Sequence, residues 1–335
     1  MTAGFHSLRG RRILVTGGAG FVGSATVARL VADGCSDILV VDDMVRGRPE
    51  NLHLPSGAAQ LRLIVGDIRD QKLMRDLVPG VDTVIHLAAL RITQCAAEPR
   101  RAMEVMIDAT YDLLELCART RVRKVVMASS ASIYGMAARF PTPEDHHPYA
   151  NRTLYGAAKA FGEALLRSFN EMYGLDYVAL RYFNAYGPRM DVHGKYTEVL
   201  VRWMERIEAG LPPIIFGDGS QTMDLIYVDD IARANVLAAT SAASDTVLNI
   251  GSGGELCLRK LAEKLAVAMG RPDLKPVHEG ERRVEAVRRR VADTSAASRV
   301  LGFTPEVPLD EGLTRLISWW RCQRDGAQAT AEPAA

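Results

Sequence analysis

Thr16-Gly17-Gly18-Ala19-Gly20-Phe21-Val22-Gly23 stands between an apolar run, Arg12–Thr16, and a stretch, Phe21–Ala32, whose apolar residues recur at three- and four-residue spacing. Those two patterns read as a strand running into a helix. Between them the glycines fall at 17, 20 and 23. Such spacing permits a tight turn out of the strand, lets the backbone approach a ligand with no Cβ in the way, and packs the helix closely on the strand. The helix start presents N–H groups to an anion, so the loop is a candidate pyrophosphate site for a dinucleotide. Glycine also serves plain turns, and the flanking strand and helix are what lift the motif above that reading.

The same alternation spreads outward from this turn. Asp37–Asp42 and residues 61–66, 83–87 and 124–129 are short and rich in β-branched residues, as is Asp176–Tyr182, and none shows strict polar alternation. Strands covered on both faces of a parallel sheet read this way. Residues 101–119 and Leu154–Tyr173 carry helical periodicity between them. The expected fold is therefore α/β, a doubly wound parallel sheet of the Rossmann kind. Past Tyr182 the rhythm breaks into a turn-rich stretch at 184–195, a helix at 196–209, a strand at Ile214–Phe216 and the loop GDGSQ. It returns to helix and strand from Val228 to Gly251, with Thr246–Ile250 as the strand. Helices follow at 258–269, Ser295–Leu301 and 309–324. This predicts a nucleotide-binding domain at 1–182 and 228–252. A smaller, discontinuous substrate domain takes 183–227 and 253–325, and 326–335 forms a frayed tail.

Composition narrows the function classes. Forty-one basic residues against forty acidic ones leave a net charge of +1 with no dense basic block, which argues against a nucleic-acid partner. The five cysteines are scattered without a C-x-x-C pair, so neither a disulfide scaffold nor a metal site is expected. No apolar run approaches the roughly 18 residues of a membrane span. A reduced, cytoplasmic protein with no membrane partner is expected.

Two further constellations point to chemistry. Asp42 ends the second strand about 20 residues past the glycine loop, where a carboxylate can accept hydrogen bonds from ribose hydroxyls and repel a 2′-phosphate, favouring NAD. Arg46 and Arg48 follow closely and could weaken that preference, and the lesser reading of Asp42 is a turn former only. Asp67 and Ile68 after the third strand, and Ala88 and Ala89 after the fourth, suit an adenine edge and a flat cofactor. Tyr155 and Lys159 lie one helical turn apart in YGAAK, so an ammonium adjoins a phenol and is expected to lower its pKa. Ser130, at the end of the fifth strand, could bond the same substrate oxygen. Alone, the Tyr/Lys spacing is more often an exposed helix pair.

The series TGGAGFVG, VVDD, GDIRD, HLAA, SSASIYG, YGAAK, LRYFNAYGPR, GDGSQTMDLIYVDD and ADTSAASRVLGF resembles the extended short-chain dehydrogenase/reductase family, specifically its sugar-nucleotide epimerases and dehydratases, over about residues 10–320. The resemblance implies NAD as cofactor and a nucleoside-diphosphate sugar as substrate. By motif position it puts cofactor contacts on Gly17, Gly20, Phe21, Val22, Asp42, Asp67, Ile68, Ala88, Ala89, Tyr155, Lys159 and Tyr182. Substrate contacts fall on Ser130, Tyr155, Asn184 and Arg283, and catalysis on Ser130, Tyr155 and Lys159. Dehydratases of the family carry Asp-Glu after the position of Ser130, and decarboxylases carry Glu at that of Ser132. Ala131 and Ser132 can do neither carboxylate's work, so the pattern resembles the C4 epimerases, most nearly UDP-glucose 4-epimerase-like enzymes. In the implied reaction Tyr155 takes the C4 hydroxyl proton as hydride leaves C4 for NAD, the 4-keto sugar turns over, and hydride returns to the other face. A 4-ketosugar reductase, a dehydratase and a non-catalytic NAD-binding protein are the alternatives. Three departures accompany the resemblance: Met106 stands where relatives carry Asn, Met223 replaces the arginine of a Q-x-R-D-F loop, and R-x-G-D reads Arg283-Val284-Glu285-Ala286. Arg288, Arg289 and Arg290 follow, either as a solvated face or as replacement cations. Relatives usually dimerise through helices at the positions of 101–119 and 154–173, which implies a homodimer.

Overall fold

The computed structural model describes residues 7–52, 60–192, 198–280 and 287–329. The chain begins β1 (Arg12–Thr16), α1 (Phe21–Ala32), β2 (Asp37–Asp42), β3 (Gln60–Val65), α2 (Gln71–Leu77), β4 (Thr83–His86), α3 (Ile92–Ala97) and α4 (Pro99–Met103). It continues with α5 (Ala109–Thr120), β5 (Lys124–Ser130), α6 (Leu154–Tyr173), β6 (Asp176–Tyr182), β7 (Asn184–Tyr186), α7 (Val199–Glu208), β8 (Ile214–Phe216), β9 (Thr222–Met223) and β10 (Leu225–Tyr227). Last come α8 (Val228–Thr240), β11 (Thr246–Ile250), β12 (Leu256–Cys257), α9 (Leu258–Ala268), β13 (Val277–Glu279), α10 (Ser295–Leu301) and α11 (Leu309–Ala329).

Seven strands form one sheet in the order β11-β6-β5-β4-β1-β2-β3, every neighbouring pair parallel. Alternate residues serve opposite faces, as the pleat requires. Leu14, Val84, Val125 and Tyr177 pack on one side with Leu113 and Leu114 of α5 and Leu166 and Phe169 of α6. Ile13, Ile85, Val126 and Val178 pack on the other with Val27 and Leu30 of α1 and Ile231 and Ala234 of α8. Both faces are covered, which is why the strands lack polar alternation. A third cluster gathers Trp203 and Met204 of α7, Leu261 and Leu265 of α9, and Leu316 and Trp320 of α11 beside Tyr186 and Tyr227, which end the separate β7–β10 strand pair. Strand order reverses between β1 and β4, and a crevice opens beyond their C-terminal ends.

Several local expectations change. Residues 101–119 do not form one regular helix: α4 and α5 are joined by a π-helical turn, Glu104–Asp108, which turns the consecutive residues Val105 and Met106 inward together. The turn-rich stretch after Tyr182 starts with β7, paired in parallel with β10. A three-residue strand carries too few side chains to show a period of two. The helix expected over 196–209 occupies Val199–Glu208. Helix α11 runs on to Ala329, into the stretch expected to fray, since Ala327, Gln328 and Ala329 favour helix. Residues 330–335 lie outside the described residues.

Candidate active site

One cavity of about 1070 Å³ lies in the crevice. Gly17, Gly20, Phe21, Val22, Asp42, Asp67, Ile68, Ala88, Ala89, Ser130, Tyr155, Lys159, Tyr182 and Asn184 all line it. The structure thus brings together ten strand-end and loop positions, the start of α1 and one face of α6 that lie far apart in the chain. Arg283 lies outside the described residues, as do Val284, Glu285 and Ala286.

The glycine loop works by close approach. Gly17 has φ +68°, and a Cβ there would stand 2.8 Å from the Ala88 backbone nitrogen, closer than real side chains come. A Cβ on Gly23 would strike the Gly17 carbonyl, so α1 packs directly on the turn. Gly20 is the N-cap of α1, and no side chain caps that helix start, which faces the cavity. Backbone alone therefore meets a ligand at the positive end of the helix, a surface that fits a dinucleotide pyrophosphate.

Asp42 is buried and turned toward this loop. Its carboxylate accepts from the backbone N–H of Ala19 and of Met44, each at 3.0 Å. Burial raises its pKa and these bonds oppose the rise. It shapes the loop as well as lining the cavity, a task that the ribose-contact reading alone did not contain. Arg46 reaches Asp191 at 3.6 Å, and burial pushes its pKa down to about 10. Asp67 is gripped by Arg69 through Nη2 at 2.7 Å and held low.

At the other end of the cavity α6 faces the end of β5. Lys159 Nζ donates to the Ala128 carbonyl at 2.6 Å and lies 5.8 Å from the centre of the Tyr155 ring. Burial drives Lys159 down to about 8. Tyr155 differs from the expectation: burial pushes the phenol up, and the opposing influences are the Ser130 side chain and the charges of Arg290 and Arg46, with the Lys159 ammonium directed to a backbone carbonyl. Desolvation of the phenol outweighs these opposing influences. Ser130 caps the short turn Ala131–Tyr134, accepting from Ser132 N at 3.1 Å. Tyr182 donates to Asn235 Oδ1 at 2.6 Å, and Asn184 Nδ2 donates to the Asp224 carbonyl at 3.0 Å.

Sequence reasoning missed several residues that lie here. Buried His86 bridges Thr16 (2.8 Å) and Thr110 (3.2 Å) behind α6, and burial drives it down to about 3. Arg91, Arg202, Asp191 and Glu198 line the cavity from loops and helix starts with no local motif, Arg189 lines it from the end of LRYFNAYGPR, to which no role was given, and Arg91 pairs with Glu198 at 3.4 Å. Met223 packs against the third apolar cluster. Of the three consecutive arginines, Arg290 lines the cavity, while Arg289 pairs with Glu255 at 2.7 Å and lies over Phe140. Among the described residues no group of three or more His, Cys, Asp or Glu side chains could hold a metal, the described cysteines are free thiols, and no helix is long and apolar enough to cross a membrane.

Residues 13–251 match the model of the NAD dependent epimerase/dehydratase family. The UDP-glucose 4-epimerase of Mycolicibacterium smegmatis is 37% identical over 315 residues, which cover 92% of this chain and 98% of that one. Among solved structures, the UDP-N-acetylglucosamine 4-epimerase of Methanobrevibacter ruminantium, in complex with UDP-N-acetylmuramic acid, superposes with a TM-score of 0.87 at 34% identity, covering 93% of this chain and 99% of that one. The dTDP-glucose 4,6-dehydratase of Streptomyces venezuelae with NAD bound gives 0.85 at 28% identity, covering 94% and 98%. With its glycine loop and its Ser130, Tyr155 and Lys159 facing one crevice, this chain belongs to the NAD dependent epimerase/dehydratase family of the extended short-chain dehydrogenases/reductases.

Proposed function

We propose that this protein inverts C4 of a nucleoside-diphosphate hexose, with a UDP-sugar favoured, through a transient 4-keto sugar. The observation that carries the reading is the opening of the glycine loop and the Ser130–Tyr155 pair onto one cavity, with the uncharged Ala131 and Ser132 beside them. A reaction that eliminates or decarboxylates needs a carboxylate at those places, and neither residue supplies one.

The chain's own residues divide the work. Gly17, Gly20, Phe21, Val22, Asp42, Asp67, Ile68, Ala88, Ala89 and Tyr182 hold the dinucleotide, and Tyr155 and Lys159 border it. Ser130 and Asn184 orient the sugar, and Arg283 completes the diphosphate grip. Bound NAD supplies a hydride acceptor for C4 and a positive charge in the cavity. Positive charge there favours the Tyr155 phenolate against the effect of burial. Tyr155 then takes the O4 proton and later gives it back, while Ser130 holds the same oxygen and the Lys159 ammonium stays beside the phenolate. Net redox change is nil. Residues 1–182 and 228–252 form the NAD-binding domain in this reading, and 183–227 and 253–325 the substrate domain. The protein works in the cytoplasm as a homodimer.

Incubation with a panel of nucleotide sugars, following the C4 configuration by NMR, tests the reaction. Epimerisation without added cofactor is the expected result, and stoichiometric NADPH consumption contradicts it. Tyr155→Phe should lower kcat by about a hundredfold or more while the protein still retains NAD; unchanged turnover would remove Tyr155 from the acid/base role.

A further inference from the structure

The last three residues of β5 are each met by one side chain from a single face of α6. Tyr155, Lys159 and Glu163 follow one another at four-residue spacing and so share that face. Tyr155 faces the Ser130 side chain, which opposes the rise of the phenol's pKa. Lys159 Nζ donates to the Ala128 carbonyl at 2.6 Å, and Ser129 Oγ donates to Glu163 Oε1 at 2.5 Å. The first two are the proposed catalytic groups, and Glu163 has no part in the chemistry described so far.

Glu163 is nonetheless heavily committed. Arg181 of β6 grips it with Nε to Oε1 at 2.9 Å and Nη2 to Oε2 at 2.6 Å, and both side chains are buried. The remaining nitrogen of Arg181, Nη1, donates to the Tyr134 hydroxyl at 2.8 Å and the Glu144 carbonyl at 2.9 Å. Tyr134 in turn donates to Asn249 Oδ1 at 2.6 Å. One network therefore clamps the residue before Ser130, the turn after it, and the residue before Tyr182. Stability alone is a weak reason to bury such a pair, because apolar residues of similar volume often hold a core as well.

The surroundings of Lys159 give the pair a second role. His86 faces it from β4, Cys95 from α3, and Tyr155 and Glu163 from its own helix. His86 is neutral, since burial drives its pKa to about 3, and burial raises the Cys95 thiol. Glu163 is the anion in this set. Desolvation lowers Lys159, and Cys95 and then the Glu163 charge oppose that fall.

We propose that Glu163, clamped by Arg181, is a positioning residue for catalysis: it locks Ser129, and with it Ser130, against the catalytic helix and supplies the negative charge that stabilises the Lys159 ammonium. This rests on the roles proposed above for Tyr155 and Lys159. The chain has seven lysines, so isotope-labelled lysine can be followed by NMR through a pH titration, with the Lys159 signal identified by its loss in Lys159→Met. In Glu163→Gln the Lys159 midpoint should move to lower pH, and kcat near neutral pH should fall about tenfold with KM and bound NAD unchanged. Glu163→Asp should restore part of both. An unmoved midpoint in folded Glu163→Gln overturns the proposal. Should that variant fail to fold around an unpaired Arg181, Glu163→Gln combined with Arg181→Gln is compared with Arg181→Gln alone by the same titration; the Lys159 midpoint should lie lower in the double variant, and equal midpoints overturn the proposal. Failure of the underlying reading looks different: Lys159→Met would keep full turnover whatever Glu163 does to the titration.

Discussion

At the residue scale, burial decides more of this site's electrostatics than charge pairing does. Tyr155, Lys159 and His86 are each shifted first by desolvation, toward the neutral form in every case. For His86 the consequence reaches stability. Its folded pKa of about 3 lies below the ordinary 6.5, so between those values the unfolded chain binds a proton that the folded chain does not. Stability is therefore full above about pH 6.5 and declines as pH falls through that window. Calorimetry should find that the melting temperature drops between about pH 7 and about pH 5, and that His86→Asn drops less over the same interval. Equal slopes would mean that His86 is not the group that titrates. The same dominance of burial explains why the Tyr-x-x-x-Lys spacing placed both groups correctly yet gave the wrong sign for the phenol's shift in the chain alone.

At the scale of elements, the placing of Tyr155 depends on how α6 starts. Thr153 is its N-cap, accepting from Gly156 N at 3.1 Å, and it also donates to Asn151 Oδ1 at 3.0 Å. Tyr155 lies in the first turn, so the cap fixes the segment that carries the phenol. Thr153→Ala should cost about 1 kcal/mol of unfolding free energy in urea titration. An unchanged midpoint would show that Asn151 and packing hold the turn without the cap. This helix was legible from periodicity because its inward face repeats through Ala158, Leu166 and Phe169. The neighbouring stretch over 101–119 was not legible in the same way, because a π turn inserts one residue and its cause is packing against α6 and β4.

At the scale of the molecule, the two helices that cover one sheet face leave aromatic surface outside it. Tyr111 on α5 and Phe161 on α6 are each 44% exposed, although both belong to helices whose other faces are buried. A second copy pairing α5 and α6 against their equivalents would cover that surface. Light scattering should give a dimer's mass for the wild type and a monomer's for Tyr111→Arg combined with Phe161→Glu; a dimer that survives both changes uses another face.

The sequence by itself determined what travels along a short stretch of chain. A strand, a glycine turn and a helix are set by neighbours a few residues apart, so β1, the loop at Gly17–Gly20–Gly23 and α1 were readable, and the repeat of that unit implied a parallel sheet. One-turn spacing likewise sets Tyr155 beside Lys159. Only the tertiary structure decided which distant groups share a wall. His86 sits between Thr16 and Thr110, Arg181 reaches Glu163 across the junction of β6 and α6, and Arg290 enters the cavity while Arg289 turns to Glu255. Contacts of that kind have no period in sequence. They arise because burial favours a hydrogen-bond partner for most buried polar groups, wherever the fold happens to bring one.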